Sequence, residues 1–195
     1  MVPFVGLTGG IGAGKSTALA ALERQGAVCL STDRVVHQLY ESAELRDAVV
    51  ERFGPSVVQG ERVDRAALAR AAFAGDDGRA WLEQLLWPRV GARIAAWRRE
   101  ADEARPPPRA AVVEVPLLFE SGLDHGFDAT IAVVADEAVR ERRAAARGHE
   151  ALSERAARQL TQQEKAERAT YTVLNDGTES DLADKLSAIL DMLNQ

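Results

Sequence analysis

Cysteine is scarce in this chain, and positive charge falls short of negative. A single cysteine, Cys29, excludes an internal disulfide, and its neighbours Ala27, Val28 and Leu30 make it a small apolar residue more than a reactive thiol. Acidic side chains outnumber basic ones 30 to 24, for a formal net charge of -6, so broad electrostatic attraction to nucleic acid or anionic lipid is not a basis for binding. An anionic ligand has to be captured locally. No run approaches the ~20 consecutive apolar residues of a membrane span. The residues from Met1 to Val5 lead into glycine without the layout of a secretion signal, so a cytoplasmic location is expected. Internal repeats and low-complexity tracts are missing too, which leaves 195 residues for one core of ordinary size.

What the chain does have is a series of short, mostly β-branched or apolar runs: residues 3–7, 27–30, 110–115, 129–134 and 171–174. Each is too short for a buried helix and lacks polar alternation, as expected of strands covered on both faces. Helical patterns separate them, so the reading is an α/β fold with a five-stranded parallel sheet flanked by helices. About eighty residues between the second and third strands break the rhythm. Leu45, Val49 and Phe53, then Leu68 and Ala72, then Trp81, Leu82 and Leu85 recur at helical spacing, with Gly54-Pro55 and residues 75–78 as punctuation. This is an inserted helical lobe, closed by Pro106-Pro107-Pro108. A second stretch, from Asp136 to about Lys165, is rich in Ala, Arg, Glu and Gln, favours helix without a deep apolar stripe, and reads as a mobile cover.

The strongest signal is "GLTGGIGAGKST", residues 6–17. Gly9, Gly14, Lys15 and Ser16 satisfy G-x-x-x-x-G-K-[ST], between a strand and a helix, as that motif requires. Glycines permit the turns that aim successive N–H groups at one point, Lys15 brings a mobile charge to the β and γ phosphates, and the Ser16 hydroxyl suits Mg²⁺. With Gly usage of ~7%, chance produces the pattern in on the order of one per cent of chains this long. The expected nucleotide-binding set is Gly10, Ile11, Gly12, Ala13, Gly14, Lys15, Ser16 and Thr17.

A triphosphate site alone leaves an ATPase, a GTPase switch and a small-molecule kinase open. The N-K-x-D motif by which guanine-specific switches read their base is absent, and no basic stripe suggests a helicase. Two helical insertions suit a transferase that holds an acceptor and excludes water. Asp33, just beyond the second strand, is placed to orient an acceptor hydroxyl and take its proton, or to cap a helix starting at Arg34. His37, one turn on, faces the same way and is either an acceptor contact or a partly buried structural residue. Glu114 and Asp136 close the third and fourth strands; Glu114 is preferred for holding Mg²⁺ through water, since the third strand more often neighbours the loop strand. Arg140, Arg143 and Arg147, three and four apart, put three guanidiniums on one helical face able to neutralise charge during phosphoryl transfer.

These residues together resemble the dephospho-CoA kinase family. "GLTGGIGAGKS" looks like its first signature and "PLLFE", residues 116–120, like its second. The likeness extends through "DRAALARAAF" at 64–73, Arg155 and Gln159, Lys165, and "NDG" at 175–177, and so covers almost the whole chain. The resemblance implies a P-loop kinase fold, ATP and Mg²⁺, and phosphorylation of the ribose 3′-hydroxyl of dephospho-CoA. It implies Asp33 as catalytic base, in contact with the acceptor, and Arg143 as a phosphate-contacting lid residue; His37 is the further candidate acceptor contact from its spacing to Asp33. The expected layout is a nucleotide-binding core of about 1–34, 109–137 and 166–195, an acceptor-binding insertion of about 35–105, and a lid of about 138–165. The substrate is a small molecule, with no nucleic-acid or membrane partner; oligomeric state is not legible. Four positions depart from the family pattern: Ser31 and Thr170 stand where acids are usual, Glu114 where Asp is, and Trp87 where His often precedes proline. Trp87 is expected to pack within the lobe.

Overall fold

The computed structural model describes residues 1–75, 77–145 and 159–195. Its main sheet contains all five expected strands: β1 (Phe4–Gly9), β2 (Val28–Ser31), β5 (Ala111–Glu114), β6 (Ala129–Val134) and β7 (Tyr171–Leu174), every neighbouring pair parallel and in the order β2-β5-β1-β6-β7. β1 is central and all six of its residues are buried, which explains its mostly apolar character. Helix α1 (Lys15–Arg24) leaves the loop after β1, and α8 (Glu179–Leu193) closes the chain. Ala18, Ala21 and Leu22 of α1 pack with Leu182, Leu186 and Leu190 of α8 into the cluster that holds Val5, Leu7 and Ile131. Each leucine so buried stabilises the fold by roughly 2 kcal/mol. Thr178 and Asp181 form a capping box at the start of α8, and Thr161 and Glu164 one at α7 (Gln162–Arg168). Both β5 and β6 flank β1, so adjacency to the loop strand does not single out Glu114 over Asp136.

The chain divides into two compact units: residues 1–31 with 98–195, and residues 32–97. The second unit holds α2 (Thr32–Leu39), α3 (Ala43–Phe53), α4 (Arg65–Phe73) and most of α5 (Gly78–Glu103), with a hairpin of β3 (Val58–Gln59) and β4 (Arg62–Val63). Ser42 caps α3 and Asp64 caps α4 through backbone N–H groups. Val49, Val57 and Leu68 are fully buried at its centre, with Phe53 and Trp81 edge to face, ring centroids 5.4 Å apart.

Three expectations in this unit need correcting. Helix α2 begins at Thr32, so Asp33 lies inside its first turn and does not cap a helix starting at Arg34. His37 is exposed, not partly buried; its Nδ1 lies 3.3 Å from Nη1 of Arg65. Trp87 is 45% exposed: the lobe's core is filled by Trp81, Leu82 and Leu85, and Trp87 falls off their face of α5. The hairpin had no periodic signal, because strands of two residues are shorter than one alternation.

Candidate active site

β1 ends at Gly9 and α1 starts at Lys15, so the turn between them is Gly10 to Gly14. Gly12 (φ 78°) and Gly14 (φ 97°) lie in the left-handed region, and a Cβ on Gly12 would come within 2.6 Å of the Arg140 carbonyl oxygen. Gly14 caps α1 without a side-chain acceptor, and no acidic residue stands in the first turn, which leaves the positive end of the helix for an external anion. Ser16, in that first turn, is exposed. Nζ of Lys15 donates to the carbonyl oxygens of Gly9 (2.9 Å) and Gly10 (3.2 Å), arching over the turn.

Helix α6 (Glu137–Ala145) starts where β6 ends, and Asp136 caps it by accepting from Ala138 N–H at 2.9 Å. That cap engages one oxygen, Oδ1, of the carboxylate that competed with Glu114 for the metal role. The arginines of α6 reach two different loops. Nε of Arg140 donates to the Ile11 carbonyl at 3.0 Å, and Nη1 of Arg143 donates to the Asn175 carbonyl at 3.0 Å. Arg147 and Arg155 lie outside the described residues. Glu114 is 9% exposed at the C-terminal end of β5, in register with Leu7 of β1 and Ser31 of β2. Beside the turn is a cavity of about 450 Å³ lined by Gly10, Ile11, Arg140, Gln159, Leu160 and Gln162. Gln162 is locked by a pair of bonds to the backbone of Ala135, accepting from its N–H (2.9 Å) and donating to its carbonyl (2.8 Å).

Several residues that build this region carried no assigned role in the sequence. Lys165 is fully buried, donating to Glu120 Oε1 (2.9 Å), the Pro116 carbonyl (2.6 Å) and Thr8 Oγ1 (3.4 Å). Glu120 Oε1 also accepts from Leu160 N–H at 2.8 Å, so the second signature, the end of β1 and the stretch before α7 meet at one ion pair. Asn175 is 5% exposed and donates through Nδ2 to the Ala13 carbonyl at 2.8 Å. Thr170, the departure from an acidic position, exchanges two 3.0 Å bonds with Thr130, each hydroxyl accepting the other's backbone N–H. Cys29 is half-buried, and burial, with the nearby Glu23 carboxylate, pushes its thiol up to about 12, in keeping with an inert side chain.

A strand, a glycine-rich turn with its lysine, and a helix, set at the centre of a parallel sheet with arginines delivered from a later helix, define a P-loop phosphotransferase. A family model for dephospho-CoA kinase matches residues 3–181. A dephospho-CoA kinase of Deinococcus radiodurans is 40% identical over 97% of this chain and 91% of its own length, and one of Chlorobaculum tepidum is 34% identical over 97% and 94%. Among solved structures, TT1252 from Thermus thermophilus superposes with a TM-score of 0.81 at 33% identity, covering 98% of both chains. The dephospho-CoA kinase of Campylobacter jejuni shares the fold at a TM-score of 0.73 and 23% identity, covering 99% of this chain and 98% of that one. The chain belongs to the dephospho-CoA kinase family.

Proposed function

We propose that this protein transfers the γ-phosphoryl group of ATP to the ribose 3′-hydroxyl of dephospho-CoA, giving coenzyme A and ADP, the last step of coenzyme A synthesis. The observation that carries the reading is the family match over residues 3–181 with an intact phosphate-binding turn inside it.

The turn's N–H groups and Lys15 hold the β and γ phosphates, and the start of α1, free of acidic side chains, favours their charge. Asp33 orients the 3′-hydroxyl and takes its proton as the bond from that oxygen to the γ-phosphorus forms and the bond to the β,γ-bridging oxygen breaks. Support for Asp33 comes from its exposure in the first turn of the helix that follows β2. His37, one turn further on, contacts the acceptor. Arg140, Arg143 and Arg147 neutralise the charge that spreads over the transferred group, and the hydrogen bond from Arg140 to Ile11 supports that role. Residues 138–165 act as the lid and about 35–105 as the acceptor-binding insertion, around a core of 1–34, 109–137 and 166–195.

Mg²⁺ accompanies the nucleotide in this reading. Among the described residues no group of three or more His, Cys, Asp or Glu side chains forms a cage for a metal. A hydroxyl, Ser16, and one carboxylate, Glu114 through water, fit the way Mg²⁺ is held, by one or two protein oxygens with phosphate and water completing its shell. When bound, the ion offsets charge on the β and γ phosphates. In this reading the reaction takes place in the cytoplasm. Among the described residues no helix is long and apolar enough to cross a membrane.

One ATP-coupled assay over an acceptor panel tests the proposal. Dephospho-CoA should be phosphorylated, with coenzyme A identified by mass, and nucleoside monophosphates and sugars should not. Turnover of a monophosphate or sugar in preference to dephospho-CoA overturns it, as does slow hydrolysis with no phosphorylated product.

A further inference from the structure

The turn's glycines create a problem that the turn itself does not solve. A peptide unit next to glycine rotates easily, because glycine populates positive and negative φ almost equally. The Ala13–Gly14 unit is such a case. If it rotates by half a turn, its carbonyl oxygen, not its N–H, faces the phosphate.

Asn175 stands where it prevents that rotation. Its side chain is buried, and Nδ2, the only donor on that group, is 2.8 Å from the Ala13 carbonyl oxygen. Its own backbone is fixed on both sides: its N–H donates to Val134 O at 2.8 Å, and its carbonyl accepts from Arg143 Nη1 at 3.0 Å. The neighbouring Asp176 accepts from Asp136 N–H at 2.6 Å, tying the same turn to the start of α6. Gly14 has no room for a Cβ because the Asn175 amide nitrogen occupies that space. The two residues are complementary: glycine permits φ 97°, and the amide locks it.

We infer that Asn175 is a positioning residue for the phosphate cradle: by holding the Ala13 carbonyl on its own side, it directs the Gly14 N–H toward the triphosphate. In a trans peptide the carbonyl and the following N–H point opposite ways, so fixing one aims the other. Arg143 joins the same turn, so the helix that supplies the phosphate-facing arginines is registered against the cradle through this residue. The inference rests on the reading that the turn holds ATP.

Asn175→Ala and Asn175→Asp, compared with Lys15→Ala, test it. Alanine deletes the donor. Aspartate keeps the size and sets an acceptor against the Ala13 carbonyl. ADP affinity by calorimetry should fall about tenfold for alanine and further for aspartate, as for a buried acceptor left unpaired or opposed. The KM for ATP should rise in step, and the KM for dephospho-CoA should stay within about twofold, a split that general loosening does not produce. Unchanged ADP affinity in Asn175→Ala, with weakened affinity in Lys15→Ala, overturns the inference, and so does an equal rise in both KM values. Unchanged affinity in Lys15→Ala defeats the reading of the turn itself, and this inference with it. If Asn175→Asp does not fold, Asn175→Ser, a shorter donor, replaces it and should fall between wild type and alanine.

Discussion

Lys165→Met tests the most enclosed charge among the described residues. Nζ of Lys165 has no solvent exposure and reaches three acceptors, on Glu120, Pro116 and Thr8. Removing it leaves the Glu120 carboxylate, 14% exposed, without its counter-charge, and breaking a buried pair in this way costs about 3–5 kcal/mol. The lower figure applies, because Glu120 keeps the Leu160 N–H and Thr8 Oγ1 still donates to the Pro116 carbonyl at 3.3 Å. About 3 kcal/mol should be lost in urea unfolding followed by circular dichroism, with the m-value unchanged. Glu120→Met should cost a similar amount by stranding the lysine. The double variant should cost less than either single one, since neither charge is then left alone, giving a coupling of more than about 3 kcal/mol. Additive losses in the double variant, or a single loss under about 1 kcal/mol, would show that the pair does not act as an enclosed unit.

Four further outcomes are expected. Asp33→Asn should retain ADP affinity and lose turnover by roughly 10²–10⁴-fold, as for loss of a general base; near wild-type rates refute that assignment. Gly12→Ala should weaken nucleotide binding, since its methyl group would come within 2.6 Å of the Arg140 carbonyl oxygen; calorimetry with ADP checks this. Cys29, with its thiol pushed up to about 12 by burial, should react with a thiol reagent at pH 8 on the order of 10²–10³-fold more slowly than in the unfolded chain. The backbone N–H and hydroxyl of Thr178 hold the Asp181 carboxyl below its ordinary value, so the stability it contributes is full above about pH 4 and is lost as pH falls through the lowered value. Asp181→Asn should therefore flatten the acid limb of an unfolding-midpoint curve, and an unchanged limb refutes the linkage.

Much of the fold was legible because the parallel strands are covered on both faces and so read as apolar runs; all five stood out. Their order did not, since nothing in residues 4–9 says which later runs will flank them. At the site, the turn and Lys15 were plain from spacing. Lys165 was named only as part of a resemblance: "QQEKAER" reads as a solvent-facing helix, and only tertiary packing turns its lysine inward. Asn175 carried no periodic signal either, because its partner is a main-chain carbonyl 162 positions away. Trp87 was misplaced because size and apolarity predict burial, whereas its angular position on α5 sets it off the lobe's core.

The central position of β1 has a consequence for synthesis. A ribosome delivers residues 4–9 roughly a hundred residues ahead of the strands that flank them, and at about 5–20 residues per second that is a wait of several seconds. The contiguous stretch 32–97, a compact unit of its own, emerges within that interval. The first strand, mostly apolar, stays without its sheet partners until residues 111–134 emerge, and so is a segment of the nascent chain that a chaperone would have reason to shield.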